Sequence, residues 1–155
     1  MTWTVLDPTP VGPLLLMAEG GALTGLHFGA GPGPGERDDD DPVLRLAAAQ
    51  LAEYFAGDRK EFDLPLAPVG TEFQRRVWEQ LCLIPYGTTI TYGELARRIG
   101  NANASRAVGL ANGRNPIAIV VPCHRVIGSN GKLVGFAGGM ETKTALLELE
   151  SATLF

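Results

Sequence analysis

Three helix-start signals follow one another in the second half of the chain, and they constrain the fold more than any other feature. Thr71 and Thr91 each precede a Gln or Glu by three residues, which is the spacing of a capping box. Asn103 provides a third cap after the break Gly100–Asn103. Helices are therefore predicted from Thr71 to a stop at Pro85, over Tyr92–Ile99, and over about Ala104–Asn112. Two short helices joined by a four-residue turn containing Gly are typical of a helix-turn-helix.

The first part of the chain has a different pattern, that of a small β-meander followed by one helix. Short apolar runs are separated by prolines and by the turn Gly20-Gly21, so three strands are predicted at Trp3–Leu6, Leu14–Ala18 and Ala22–Phe28. The pair Asp41-Pro42 starts a helix that should end near Gly57. One apolar stripe at helical spacing comprises Val43, Ala47, Leu51, Tyr54 and Phe55. The fold class is therefore predicted to be α+β.

The balance of charged residues changes at about the same place as the predicted secondary structure. Residues 1–70 contain four Lys or Arg and eleven Asp or Glu, whereas residues 71–155 contain nine and six. We expect two domains: residues 1–70 as an N-terminal α/β domain with an acidic linker at Gly29–Pro42, and residues 71–155 as the second. A basic segment in an acidic protein can hold a polyanion, because binding follows the local field. A solvated helical face would explain the same charges.

Composition excludes several other classes. Cys82 and Cys123 are the only cysteines, so a disulfide scaffold is excluded, and no CxxC or HxxxH pair points to zinc. The apolar runs are too short to cross a bilayer, and the start Met1-Thr2-Trp3 lacks a signal-peptide pattern. A cytoplasmic protein without metal or cofactor is expected. Cys82, among apolar helical neighbours, is expected to be a small buried hydrophobe.

Cys123 is the residue most suited to chemistry. The continuous apolar run Ile117–Val121 predicts a buried strand that ends at Pro122, directly before Cys123. Nearby basic residues favour the reactive thiolate. Adjacent residues on an extended chain point in opposite directions, so His124 reaches the thiol only through a turn or a bridging water. The residues alone leave a structural cysteine and a nucleophile equally open.

The rest of the chain supplies a turn, a loop and a helix. Asn130-Gly131 predicts a tight turn, and the glycine-rich loop Gly135–Gly139 follows it. A last helix is predicted over about Met140–Leu149, with Met140, Thr144 and Leu147 on one face.

Residues 71–150 strongly resemble the O6-alkylguanine-DNA alkyltransferases, also called methylated-DNA–protein-cysteine methyltransferases. The combination of RAVG at 106–109, NP at 115–116, PCHRV at 122–126 and GFAGG at 135–139 carries the resemblance. It implies a ribonuclease-H-like sheet-and-helix domain in the first half. It also implies a mainly helical, winged-helix-like second domain that contains the helix-turn-helix and the catalytic site.

The resemblance implies a role for each matching residue. Cys123 would take an alkyl group irreversibly from guanine O6, or from thymine O4, in a single turnover. His124 would draw the thiol proton through a water, and Glu150 would orient His124. The target base would be flipped out of the duplex. Arg106 would fill the space it leaves, and Tyr92 would crowd the target phosphate and line the base pocket.

The remaining implied roles concern DNA and the pocket. Asn115 would tie the recognition helix to the active-site turn, as part of the catalytic set. The helix would enter the minor groove of double-stranded DNA, and the protein would act as a monomer without metal or cofactor. The implied DNA contacts also include Ala107, Gly109, Ala111, Arg114 and Arg125. Val126, Phe136 and Ala137 would line the base pocket. Phe136 stands where the family often has tyrosine, which implies slower transfer.

Three other functions are compatible with parts of the same sequence. A non-catalytic alkyltransferase-like protein would bind damaged DNA but lack the cysteine, whereas Cys123 is present with His124 and Glu150 behind it. A cysteine hydrolase would leave Arg106 and the helix-turn-helix unexplained. A redox sensor would need a resolving partner, and Cys82 is a poor one.

Overall fold

The structure is a computed structural model, and it describes residues 1–129, 131, 136 and 138–153. The chain divides into two compact units, Met1–Pro68 and Val69–Phe155. The first consists of a sheet with one helix, and the second is mainly helical. The predicted α+β fold class is therefore confirmed. No helix in the described ranges is long and apolar enough to cross a membrane.

The first unit is built on a four-stranded sheet in the order β3-β2-β1-β4. The predicted meander is present as antiparallel strands β1 (Thr2–Leu6), β2 (Leu14–Glu19) and β3 (Ala22–Phe28). Strand β4 (Glu36–Arg37) pairs parallel with β1 inside the segment predicted as a linker, so that prediction is wrong at this point. A two-residue strand has no periodicity to reveal it; it exists only through its pairing with residues 2 and 3.

Helix α1 (Pro42–Phe55) is present where the sequence predicts a helix, and it packs on β2 and β3. The Asp41 side chain caps it by accepting hydrogen bonds from the backbone N–H groups of Val43 and Leu44, at 3.0 and 3.4 Å. Its buried apolar residues are Val43, Leu44, Ala47, Leu51 and Tyr54. The buried amide of Gln50 exchanges two hydrogen bonds with the backbone of Asp63, at 3.0 and 2.9 Å. These bonds satisfy the amide and fix the segment after the helix.

Three helices of the second unit pack on one another: α2 (Glu72–Leu81), α3 (Tyr92–Arg98) and α4 (Ser105–Gly113). The capping box of α2 is complete, since Thr71 and Gln74 exchange both hydrogen bonds. At α3 the Thr91 hydroxyl accepts from the backbone N–H of Glu94 at 3.1 Å. The Glu94 carboxylate pairs instead with Arg97 and Arg98, at 2.7 and 3.2 Å.

Helices α3 and α4 form the predicted helix-turn-helix. Gly100 adopts a φ of +87°, a conformation that favours glycine. The turn it makes lets the backbone N–H of Asn101 reach the carbonyl of Ala96 at 3.0 Å, which closes the end of α3. The prediction that Asn103 caps α4 is wrong. Ala104 is the N-cap, and its side chain has no hydrogen-bonding group.

Residues 117–121 are buried, as predicted, but after a single bridge residue at Ile117 they form tight turns and not a strand. Ile119 has a φ of +69°, which is unusual for a β-branched residue. Val120 N–H donates to the carbonyl of Ala118 at 2.8 Å, and Val121 N–H donates to the carbonyl of Ile117 at 3.0 Å. Such short-range bonds cannot form within an extended strand.

A single 3₁₀ turn, Cys123–Arg125, follows this coiled segment. It leads into β6 (Val126–Ile127), which pairs parallel with β5 (Ile90–Thr91). Because β5 runs directly into α3, this pair holds the start of α3 beside the turn that carries Cys123.

Helix α5 (Met140–Ala152) is longer than predicted and buries a different face. Its buried residues are Lys143, Leu146 and Glu150, whereas Met140 is exposed. The predicted apolar face is therefore wrong, because the two charged residues find partners in the interior. The turn predicted at Asn130, the glycine-rich loop from Gly135 and the pocket residue Ala137 fall before this helix. These three residues lie outside the part of the chain that the structure describes.

Candidate active site

The Cys123 thiol lies at the start of the 3₁₀ turn with only 6% of the residue exposed. The turn is held by Cys123 N–H, which donates to the carbonyl of Val121 at 2.8 Å, and by the Asn112 amide, which donates to the carbonyl of Cys123 at 3.4 Å. Burial raises the pKa of the Cys123 thiol, and the neighbouring Asn115 and Lys143 act in the opposite direction. A thiol in this state needs a base before it can attack a carbon atom.

His124 is placed to be that base. Its Nε2 lies 2.6 Å from Oε2 of Glu150, and both residues are almost completely buried. Burial lowers the pKa of His124 and outweighs the opposing effect of Glu150. A neutral ring that donates its Nε2–H to the carboxylate has its lone pair on Nδ1. In the described part of the chain this buried Nδ1 has no hydrogen-bond partner, so its lone pair is available.

Glu150 is held ionised by the groups around it. Burial alone would raise the pKa of its carboxyl, but hydrogen bonds from His124 and Arg125 lower that pKa to about 2. Oε1 accepts from Arg125 Nε at 2.8 Å and from the backbone N–H of Gly87 at 3.4 Å. Oε2 accepts from Arg125 Nη2 at 3.0 Å in addition to its contact with His124. The carboxylate therefore links three segments of the second unit.

The depressed pKa of Glu150 predicts acid destabilisation. Its carboxyl titrates near 4.5 when unfolded and near 2 when folded, so its stabilising contribution is present above pH 4.5 and is lost as the pH falls toward 2. By pH 3 the loss from this group should be about 2 kcal/mol. Urea unfolding of the wild type and of Glu150→Gln, from about pH 6 to pH 3, measures it. The stability difference between the two proteins should shrink by that amount, and a constant difference would contradict the assignment.

Asn115 joins the end of α4 to the segment before Cys123. Its Oδ1 accepts from the backbone N–H of Ile117 at 3.0 Å, and its Nδ2 donates to the carbonyl of Val121 at 2.8 Å. The side chain thus closes the coiled segment 117–121 across its two ends. Asn115 lies two residues after the end of α4, so it connects that helix to the segment that carries the thiol.

Lys143 belongs to the site but was missed by the sequence analysis. It is completely buried on α5, and its Nζ donates to the carbonyl of Val126 at 2.7 Å. Burial lowers its pKa, and interaction with Cys123 opposes that shift. A signal was present in the spacing: Lys143 lies seven residues before Glu150 and shares its helix face. Val126, expected to line the base pocket, is completely buried, and its carbonyl is the group that accepts from Lys143.

The predicted DNA contacts on α4 separate into two groups. Arg106, Ala107 and Arg114 are exposed, and Gly109 is half-buried. Ala111 is only 3% exposed, and its carbonyl accepts a hydrogen bond from Trp78 Nε1 at 2.8 Å. The prediction that Ala111 meets DNA is therefore wrong, because this residue faces the other helices.

Arg125 also departs from the expected DNA contact. The residue is only 6% exposed, and its guanidinium is bound to Glu150 and to the carbonyl of Ile84. A side chain fixed in this way cannot reach a phosphate. Cys82 departs in the opposite sense: it is exposed, just after the last residue of α2, and is not the predicted buried hydrophobe.

The aromatic residues expected at the base pocket are both half-buried. Tyr92 begins α3 and interacts with Asn112 and Cys123, and burial raises the pKa of its phenol. Phe136 is half-buried as well. No group of three or more His, Cys, Asp or Glu within the described ranges is arranged to hold a metal ion.

Comparison with known proteins agrees with this architecture. Residues 1–68 match the model of the 6-O-methylguanine DNA methyltransferase ribonuclease-like domain, and residues 72–152 match that of its DNA binding domain. A methylated-DNA–protein-cysteine methyltransferase of Methanosarcina acetivorans is 54% identical over 148 residues, which is 93% of this chain and 95% of the relative.

Solved structures extend the comparison to three dimensions. The OGT of Mycobacterium tuberculosis in complex with DNA is 50% identical and superposes with a TM-score of 0.90, covering 99% of this chain and 94% of that chain. The O6-methylguanine methyltransferase of the same organism gives 49% identity and a TM-score of 0.89, covering 98% and 93%. Fold and site define a two-domain protein with a buried thiol beside a helix-turn-helix. The chain belongs to the 6-O-methylguanine DNA methyltransferase family.

Proposed function

We propose that this protein repairs DNA by transferring the alkyl group of O6-alkylguanine, or of O4-alkylthymine, to Sγ of Cys123. The observation that carries the proposal is His124, the residue after Cys123, which is hydrogen-bonded to Glu150 of α5. Its imidazole ring is neutral, and the lone pair on Nδ1 is available. Relatives that cover nearly the whole chain are named methylated-DNA–protein-cysteine methyltransferases, which supports the same chemistry.

The reaction is an in-line displacement. His124 Nδ1 takes the thiol proton through a bridging water, so that Sγ attacks the alkyl carbon as a thiolate. The new S–C bond forms as the C–O6 bond breaks, and the departing guanine takes up one proton from water or from Tyr92. The thioether has no easy route back to the thiol, so each molecule acts once.

The exposed face of α4 is the surface we assign to double-stranded DNA. The thiol is buried, so a target base must leave the stack to reach it. Arg106 is exposed near the start of α4 and is long enough to occupy the space left by that base. Ala107 and Gly109 permit a close approach to the minor groove, and Arg114 adds positive charge. We propose a monomer, and a reducing cytoplasm suits a protein whose acceptor must remain a thiol.

Intact mass spectrometry tests the proposal. The protein is incubated under reducing conditions with a duplex that contains one O6-methylguanine, and with the same duplex containing guanine. A gain of one methyl group per protein molecule is expected only with the first duplex. Mass spectrometry of a digest should place this group on the peptide that contains Cys123. Transfer should slow as salt rises, because phosphate binding releases counterions. Binding to the alkylated duplex without any gain in mass would indicate a non-catalytic damage-binding protein instead.

A further inference from the structure

Arg125 makes more contacts inside the site than the transfer of an alkyl group to Cys123 requires. Its Nε and Nη2 contact the two oxygens of Glu150 at 2.8 and 3.0 Å, and its Nη1 donates to the carbonyl of Ile84 at 2.8 Å. The guanidinium also lies 5.6 Å from the centre of the Tyr86 ring. A buried arginine with every arm of its fork engaged is held in one orientation.

This geometry fixes the carboxylate as well. Two parallel N–H···O bonds set the plane of a carboxylate, whereas one bond leaves it able to rotate. Since the same Oε2 that accepts from Arg125 also accepts from His124 Nε2, the plane of Glu150 decides where the imidazole points. Arg125 therefore acts on the ring through Glu150, without touching the thiol or a substrate.

Charge gives Arg125 a second effect on the same ring. The charged groups that face His124 are Glu150 and Lys143 from α5 and Arg125 from its own turn. Glu150 favours a protonated ring, and the two cations oppose it. Beyond the end of α2, the Cys82 thiol and the Tyr86 ring also lie near Arg125. Without Arg125, only burial and Lys143 would oppose Glu150, so the pKa of His124 would rise.

We propose that Arg125 is a positioning residue of the transfer reaction, which holds the Glu150 carboxylate in the plane that orients His124. The inference rests on the proposed function, because it assigns Arg125 to the relay that activates Cys123. It replaces the DNA contact expected for this residue with a role inside the protein.

Two substitutions separate the geometric effect from the effect of charge. Arg125→Lys keeps the charge but can make only one of the two parallel bonds. We expect the second-order rate constant for methyl transfer to fall about 10-fold, with the acid limb of the pH–rate profile in its wild-type position.

Arg125→Gln removes the charge as well. We expect a larger fall in rate and an acid limb shifted upward by about one pH unit, because His124 becomes more basic.

The pH profile distinguishes positioning from mere stability. Partial unfolding lowers the rate equally at all pH values at which the remaining protein is folded, and it does not move the limb. Arg75→Gln, at an exposed arginine of α2, is the matched control and should keep the wild-type rate and profile. If Arg125→Gln does not fold, the rate and the pH profile of Arg125→Lys test the positioning role without it.

The outcomes of the experiment also separate this inference from the proposed function. A wild-type rate in Arg125→Lys, or a limb that moves in that variant, would overturn the role of Arg125. A wild-type protein that transfers no methyl group would overturn the proposed function itself.

Discussion

Cys123→Ser should gain no mass from an O6-methylguanine duplex, while it still binds that duplex. A serine hydroxyl is a far weaker acid than a thiol, and the neutral His124 beside it cannot generate an alkoxide that attacks a methyl carbon. The rate of transfer should therefore fall by at least about 10³-fold, to below detection in a single-turnover assay. The side-chain volume changes little, so the fold and the DNA-binding face of α4 should remain intact.

Cys82→Ser is the matched control for this prediction, because it makes the same change at the only other cysteine. Cys82 is exposed and lies after the end of α2, so its loss should leave transfer at the wild-type rate. Intact mass and a fluorescence-anisotropy titration would be measured for both variants. Methyl transfer that persists in Cys123→Ser and disappears in Cys82→Ser would show that Cys82 is the acceptor, and it would contradict this prediction.

The elements that the sequence predicts well are those whose signals lie within a few residues. Asp41-Pro42 and the Thr71–Gln74 pair each satisfy backbone N–H groups at a helix start, and the structure has helices beginning at both. The meander is equally local, since its strands are adjacent in sequence and separated by short turns. In these places the chain needs no distant partner to choose its conformation.

The segment before Cys123 shows where such reasoning ends. Ile117–Val121 is apolar and β-branched, which favours a strand. The structure coils it instead, with Ile119 at a positive φ and with Asn115 bonded to both ends of the segment. Tertiary burial and one amide side chain outweigh the intrinsic preference here. Backbone strain of this kind is frequent at functional sites, and here it immediately precedes the candidate nucleophile.

The same limit applies to the charged residues of the site. Arg125 is expected at the DNA on the resemblance to the family. Its true partner, Glu150, is 25 residues away, and no pattern in either neighbourhood joins them. Lys143 escaped notice for a similar reason, since an isolated lysine on a helix is usually solvated. The resemblance to the family placed Glu150 behind His124, and the structure adds the two cations that surround this pair.

Arg106→Glu should lower the rate of methyl transfer by about 100-fold at moderate salt. Extruding a base loses a few kcal/mol of stacking free energy. We propose that Arg106 offsets part of this loss by occupying the space that the base leaves in the duplex. A loss of roughly 3 kcal/mol corresponds to about two orders of magnitude. Because glutamate also repels the neighbouring phosphates, the slope of log binding constant against log salt should become shallower by about 1.

Arg45→Glu is the control for net charge, because it makes the same change at an exposed residue of α1 in the other unit. It should reduce transfer by less than about 2-fold, because it makes the same change of net charge and leaves the helix that we assign to DNA unaltered. A duplex with the lesion opposite an abasic site refines the comparison, because extrusion from it costs less. The defect of Arg106→Glu should be smaller on that substrate, whereas equal defects for the two variants on the paired duplex would exclude α4 as the helix that enters the DNA.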